Sequence, residues 1–150
     1  MFKLLVAATM TFAIPVIVKA QAELNGTCVL PIIVSSSGGQ SQGQGAVGIK
    51  VDFSNRFAPR VYCSIGFGKA PASYYDPSTG NFYCHYEYTN NTMNTETRSS
   101  RWAGGKLDII NKVGVIISYG FKSVTTTSSG GWYERREDLA PYQRPVFTLK

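Results

Sequence analysis

The sequence predicts a mainly β fold (a β-rich α+β class): one compact antiparallel sheet or barrel with at most one or two short helices. Apolar and polar residues alternate with a period of two in several segments, as they do in half-buried strands. β-branched and aromatic residues are frequent, whereas helical periodicity is weak. Residues typical of turns separate the alternating segments, which favours a single β-rich domain.

Residues 1–22 have the organisation of a secretory signal peptide. Lys3 precedes an apolar run over residues 4–18, and Ala20-Gln21-Ala22 gives a small-x-small cleavage pattern, with Val18-Lys19-Ala20 as an alternative site. The run is too short to span a bilayer comfortably, and Pro15 interrupts it. We therefore expect residues 23–150 to form one secreted, extracellular domain without membrane insertion. The sequence leaves open whether this domain later enters host cells.

The charge of the secreted part is mildly basic. Without Lys3 and Lys19, 13 of the 15 basic residues remain against nine acidic ones, a net charge of about +4. This balance permits contact with anionic surfaces, yet it is smaller than the excess typical of nucleic-acid binders.

The first half of the domain contains three predicted strands and one predicted loop. Residues 28–34 form the first strand, in which Pro31 suggests an edge position or a bulge. Residues 35–45 contain only Ser, Gly and Gln, which cannot form a core, so they predict a flexible loop. The alternating patterns of residues 46–54 and 59–67 predict two further strands.

The clearest turn of the sequence lies at Asp76-Pro77-Ser78-Thr79-Gly80, between residues 73–75 and 81–88. Asp before Pro, with Gly at the end, predicts a hairpin with a type I turn followed by a left-handed residue. The remaining predictions are a polar loop (89–100), a short helix or strand (106–111), a strand (113–124), a helical turn (135–139) and a last strand (146–149).

Three cysteines, Cys28, Cys63 and Cys84, imply one disulfide in an oxidising compartment and one remaining thiol. The sequence leaves all three pairings open. Asn25-Gly26-Thr27 and Asn90-Asn91-Thr92 match the acceptor pattern for N-glycosylation, so Asn25 and Asn90 are candidate sites if the protein is eukaryotic. The single histidine and the lack of a Cys-x-x-Cys motif predict no metal site, and nothing indicates a cofactor.

Tyr83, His85 and Glu87 are the candidate catalytic residues. On a strand, these side chains project from one face about 7 Å apart, while Cys84 and Tyr86 project from the other. A phenol, an imidazole and a carboxylate in a row can perform acid–base chemistry on a phosphodiester or a glycosidic bond. The alternative interpretation is a solvated face above core-facing neighbours.

The Tyr83-Cys84-His85 segment resembles the Tyr-Pro-His segment of small secreted fungal guanyl ribonucleases. Gly114-Val115-Ile116-Ile117-Ser118 is similar to their later Gly-Val-Ile-x-His strand, and the match covers about 40 residues. Ser118 stands where that family has its acid histidine. The resemblance therefore implies a ribonuclease-like scaffold with an incomplete catalytic set, as in the ribonuclease-like secreted effectors of powdery mildew fungi. This chain has no cysteine near its C-terminus for the terminal bridge of those effectors.

Aromatic and basic residues in predicted loops are candidates for binding: Trp102, Trp132, Tyr133, Arg98 and Arg101. Exposed aromatic rings stack on sugar faces, although such rings also cover the open faces of sheets. We expect a secreted, effector-type binding protein at a host or extracellular interface, whose partner is a host protein, RNA or a cell-wall glycan. The alternative is a small secreted hydrolase, either a chitinase-like glycosidase or a ribonuclease.

Overall fold

A computed structural model describes residues 22–55, 57–66, 69–72 and 74–150. The signal-peptide prediction falls almost entirely on residues outside this part of the chain. Ten strands and no helix occur within it. They are β1 (Glu23–Ser36), β2 (Gly39–Asp52), β3 (Arg60–Ser64), β4 (Lys69–Pro71), β5 (Tyr74–Tyr75), β6 (Asn81–Asn91), β7 (Thr95–Asp108), β8 (Val113–Thr127), β9 (Trp132–Leu139) and β10 (Val146–Thr148).

The strands form one antiparallel sheet in the order β4-β3-β2-β1-β9-β8-β7-β6-β5, which curves into a nearly closed barrel. Both β9 and β10 lie between β1 and β8, β9 at one end of the barrel and β10 at the other. β9 pairs with both strands at one end, whereas β10 pairs with β8 at the other, where Lys150 and Asn25 exchange backbone hydrogen bonds. The predicted mainly β class with a single sheet or barrel is thus confirmed.

The apolar side of the sheet faces the interior of the barrel. Along β2, Val47, Ile49 and Val51 are buried, while the residues between them are partly exposed. The same alternation buries Leu24, Cys28, Leu30 and Ile32 of β1, Val61 and Cys63 of β3, and Phe82 and Cys84 of β6. Because side chains alternate across a strand, one continuous core forms inside, while the outer face mixes polar residues with exposed apolar ones such as Val29, Ile117 and Val146.

A disulfide between Cys63 and Cys84 joins β3 to β6 and closes the seam of the barrel. β3 and β6 lie near opposite ends of the sheet order and do not pair with each other. The bridge therefore joins two parts of the sheet that strand pairing leaves unconnected. Tyr86, two residues after Cys84, reinforces the seam by donating a hydrogen bond to the carbonyl oxygen of Ile65. Cys28 is the free thiol; it is buried, and desolvation raises its pKa.

The segment over residues 35–45 corrects the prediction of a loop. Ser35 and Ser36 belong to β1, residues 39–45 belong to β2, and only Ser37 and Gly38 form the turn between them. The composition argument failed because a strand held by backbone hydrogen bonds does not need buried side chains. Residues 32–36 of β1 are themselves paired to β9, and they hold the polar strand in register.

Two further predictions change for a similar reason. Of residues 89–100, predicted as a polar loop, 89–91 end β6, 95–100 begin β7, and only 92–94 connect the two strands. Residues 135–139, predicted as a helical turn, lie in β9. Arg135 pairs with Glu137, and Arg136 pairs with Asp138. Residues two apart share a face only in a strand, so this spacing of charges suits β structure and not a helix.

The hairpin turn at Asp76–Gly80 is confirmed. The amides of Thr79 and Gly80 both donate to the carbonyl oxygen of Asp76, at 3.3 and 2.7 Å. The Asp76 carboxylate accepts from the amide and hydroxyl of Ser78, which lowers its pKa. Gly80 has a φ of 83°, in the left-handed region that favours glycine. The turn therefore follows from local sequence chemistry alone.

Candidate functional site

The outer face of β6 and β7 carries most of the predicted site residues. The strand register places His85 opposite Trp102, Glu87 opposite Ser100, and Thr89 opposite Arg98. Residues directly opposite each other project from the same face of an antiparallel pair. Tyr83, His85 and Glu87 alternate with the buried Phe82 and Cys84, so the predicted shared face of these three residues is confirmed. Their catalytic role stays a prediction.

Three rings on this face form what we call the aromatic strip: Tyr83, His85 and Trp102. The rings of Tyr83 and His85 are stacked, with centroids 6.4 Å apart and planes inclined by 20°. His85 Nε2 lies 3.0 Å from the hydroxyl oxygen of Ser100, which fixes the orientation of the imidazole. The strip is therefore a preformed row of rings on one strand pair.

Two glycines allow these rings to lie close to the sheet. A Cβ atom at Gly104 would stand 3.1 Å from the Tyr83 ring, and one at Gly120 would collide with the Trp102 indole. Gly120 is opposite Trp102 in β8, and Gly104 is opposite Tyr83 in β7. The missing side chains give the rings room against the backbone, a known role of glycine in strands.

A polar groove of about 320 Å³ borders the aromatic strip. Its lining includes Glu87, Arg98, Ser100 and Lys122. Arg98 Nε contacts a carboxylate oxygen of Glu96 at 3.1 Å, but the side chain of Arg98 is 75% exposed. Such an exposed ion pair is worth at most about 1 kcal/mol, so Arg98 can exchange it for a ligand. The groove thus supplies hydrogen-bonding groups of both signs beside the rings.

Trp132 and Tyr133 do not join this strip. Trp132 is opposite Thr126, six positions along β8 from Gly120, which corresponds to about 20 Å. It lines a separate groove of about 300 Å³ with Ser35, Ser37 and Arg136. The two tryptophans therefore belong to different surfaces, although the sequence pointed to both as binding residues.

Arg101 faces the opposite way from Arg98, so one interface cannot contain both. It is opposite Phe121, with the guanidinium carbon 4.1 Å from the centre of that ring, on the inner side of the sheet. Ser99, Arg101 and the buried Ala103 are two positions apart along β7, so their side chains share one face. This spacing was already present in the sequence.

Near Arg101 lie four interior residues that sequence reasoning missed: Tyr119, Phe121, Arg135 and Glu137. Together with Arg101, we call them the inner cluster. The Tyr119 hydroxyl donates to a Glu137 carboxylate oxygen at 3.2 Å, and Arg135 Nη2 contacts the other oxygen at 3.1 Å. Burial, with the charge of Glu137, raises the pKa of Tyr119 to about 12. The phenol therefore stays protonated at neutral pH.

The two predicted glycosylation sites are both exposed. Asn25 lies in β1 on the outer face, and Asn90 lies near the end of β6. Among the described residues, no three His, Cys, Asp or Glu side chains are placed to hold a metal ion. In the same part of the chain, no helix has the length and apolarity needed to cross a membrane.

The fold and this surface define the class: a single, nearly closed antiparallel β-barrel with an apolar core and a row of aromatic rings on its outer face. No protein-family model matches the chain, and no curated protein matches it at a significant level. Among solved structures, the crystal structure of Neisserial surface protein A (NspA) aligns with 87% of this chain and 99% of that chain. The identity is 11% and the TM-score is 0.32, a likeness that carries no argument about fold or function.

Proposed function

We propose that this chain is an exported binding protein that acts at an extracellular or host interface and recognises a glycan through the aromatic strip. The observation that carries this proposal is the placement of Tyr83, His85 and Trp102 on one outer face. Aromatic rings present a large, rigid contact area, and the apolar faces of sugar rings stack on them. Ordered rings also lose little conformational entropy when a ligand binds.

The polar groove supports a glycan over RNA as the partner. Sugar hydroxyls need both donors and acceptors, and Arg98, Ser100 and Glu87 supply them beside the rings. RNA binding depends on a strong excess of positive charge along the phosphate path. Here Glu87 and Glu96 offset Arg98 and Lys122, so the local charge is close to balanced.

A secreted hydrolase is the second candidate, with Tyr83, His85 and Glu87 as the reacting groups. Their shared face favours it, because acid–base chemistry needs all three groups to reach one substrate. The hydrogen bond of His85 goes to Ser100, however, and the three residues are exposed on the outside of the barrel. Such a position does not exclude water in the way that an enclosed active site does. We therefore rank binding above hydrolysis.

To test this proposal, the full chain is expressed, the secreted protein is collected, and its binding of chitin hexamer is measured. Calorimetry should give a measurable affinity, and Trp102→Ala should weaken it at least about tenfold, in line with the typical worth of a stacked ring. Trp132→Ala is the control, since it removes the same kind of ring at an exposed position about 20 Å away and should have little effect. Equal losses in both variants, or no binding of any glycan, would contradict the proposal.

The same samples distinguish the alternatives. An RNA oligomer that binds more tightly than the hexamer, with a strong dependence on salt, would favour RNA as the partner. Cleavage of the hexamer or of RNA that His85→Ala slows by about 100-fold or more would favour the hydrolase. N-terminal sequencing of the secreted protein should begin at residue 23, which tests the expected export.

A further inference from the structure

In the described part of the chain, the half of the barrel that contains the inner cluster has fewer strand pairings along one side, and we call it the open half. β3 pairs with β2 only over residues 48–52, and β5 pairs with β6 only at Phe82 and Tyr83. No described strand pairs with the outer edge of β2 over residues 39–47, or with that of β6 over residues 84–91. Apart from the Cys63–Cys84 bridge and the hydrogen bond from Tyr86 to Ile65, no described strand spans the space between these two edges, and we call this space the opening.

The interior behind this opening differs from the core at the other end. Where the core is built from Val, Ile, Leu and Phe, this half has inward-facing Ser99, Ser123, Thr97 and Thr125 as well as the inner cluster. The rings of Tyr86 and Tyr88, stacked at 6.3 Å, face the same space from β6. Polar groups and rings together, on the inner face of a curved sheet, resemble the lining of a small-molecule pocket.

The charges of the inner cluster are not balanced. Glu137 is satisfied by Arg135 and Tyr119, and its side chain is only 15% exposed. The guanidinium of Arg101 contacts the ring of Phe121 on one side. On its other side lies Gly66, where an added Cβ atom would stand 2.7 Å from the guanidinium carbon. It makes no ion pair with a described residue, and its buried Nε–H has no hydrogen-bond acceptor in the described part of the chain.

A buried donor without an acceptor is costly, and the cost is larger when the group is charged. Buried polar groups in folded proteins almost always have partners, so each exception calls for an explanation. A guanidinium also has the planar geometry that suits an oxyanion such as a carboxylate. An anionic ligand would supply both the missing acceptor and the missing counter-charge.

We propose that the open half of the barrel binds a small amphipathic anion, whose carboxylate or equivalent oxyanion pairs with Arg101 and whose apolar body lies against Phe121, Tyr86 and Tyr88. The ligand enters between the free edges of β2 and β6. This site is on the inner face of the sheet, so it is independent of the aromatic strip on the outer face.

The test uses 8-anilinonaphthalene-1-sulfonate, an aromatic anion whose fluorescence rises on binding. Arg101→Met, which keeps the length of the side chain but removes the charge, should weaken its binding at least about tenfold. Arg144→Met is the matched control, since it removes an exposed arginine outside both proposed sites, and it should leave binding unchanged. Decanoate should displace the probe much more effectively than decanol, which has the same chain length but no charge.

A second variant keeps the proposal falsifiable if Arg101→Met does not fold. Glu137→Gln preserves the shape of the side chain and still accepts the hydrogen bond from Tyr119. It removes a negative charge that lies two strands, or about 10 Å, away from Arg101. Binding of the anionic probe should become severalfold tighter. The proposal is wrong if Arg101→Met binds the probe as wild type does, if Glu137→Gln does not tighten binding, or if decanol competes as well as decanoate.

Discussion

The indole ring of Trp102 occupies the space in which a side chain at Gly120 would stand. The two residues are opposite each other in β7 and β8, on the outer face of the barrel. The position of the ring therefore depends on the absence of a Cβ atom on the neighbouring strand, and the aromatic strip owes its shape to that absence.

Gly120→Ala should displace the indole and weaken binding of chitin hexamer about tenfold, or ~1.4 kcal/mol, while the barrel still folds. Calorimetry measures the affinity, and the emission maximum of tryptophan reports the displacement. Gly38→Ala, in the turn between β1 and β2, is the control, because the nearest atom to its added Cβ would be 4.0 Å away. Unchanged affinity in Gly120→Ala would mean that the position of the ring does not govern binding.

Titration of Tyr119 should lower the free energy of unfolding of the barrel at high pH. Burial and Glu137 raise its pKa from 10.0 to about 12 in the folded state. Between these pH values the unfolded chain releases the phenolic proton and the folded chain keeps it, so the free energy of unfolding falls as pH rises. The stabilisation is complete below pH 10 and is lost through pH 12, by up to about 2–3 kcal/mol.

Urea unfolding at pH 9, 10, 11 and 12 tests this dependence. Tyr119→Phe should make the decline shallower without abolishing it, because burial also raises the pKa of Tyr75 and Tyr86. Tyr142→Phe is the matched control, since Tyr142 is fully exposed. If the Tyr119→Phe and wild-type profiles are parallel, the phenol does not contribute to the alkaline loss.

Reduction of the Cys63–Cys84 bridge should destabilise the barrel by about 3 kcal/mol, given the 21 residues that separate the two cysteines. The reduced chain would lose the link that holds β3 against β6. Thermal unfolding with and without dithiothreitol should show a lower Tm in the reductant. Cys28→Ala should retain that sensitivity, whereas Cys63→Ala/Cys84→Ala should lose it. A reductant effect in the double variant would place the bridge elsewhere.

Gly80→Ala should cost more stability than Gly130→Ala. Both glycines have a positive φ, 83° and 93°, so alanine costs each about 1–2 kcal/mol. A Cβ at Gly80 would in addition collide with the carbonyl oxygen of Leu107, whereas nothing lies within 4 Å of one at Gly130. The difference between the two free energies of unfolding isolates the collision. Equal costs would show that the turn moves away from β7 freely.

Local sequence patterns were sufficient for much of the fold. The alternation of Val47, Ile49 and Val51 identified a strand and its inner face, because side-chain direction is set within a single strand. The same rule separated Tyr83 and His85 from Cys84. The turn at Asp76–Gly80 was equally predictable, since its hydrogen bonds join residues within five positions of one another.

Long-range pairing decided the rest. Residues 39–45 carry no apolar signal, and their strand conformation depends on residues 30–36 of β1. The choice of Cys63 and Cys84 over Cys28 required the order of the strands around the barrel. The inner cluster likewise assembles Arg101, Tyr119 and Glu137 from three strands, so no single segment could reveal it.

The sequence by itself determined that this chain forms strands, and in most of them which side chains face inward, because those properties follow from the two-residue period of a strand. Only the tertiary structure decided which strands are neighbours, where the barrel stays open, and which charges meet inside it. Backbone hydrogen bonds between strands are the same for nearly every residue type. The choice of neighbour therefore depends on how the whole sheet buries its apolar face, and not on any one segment.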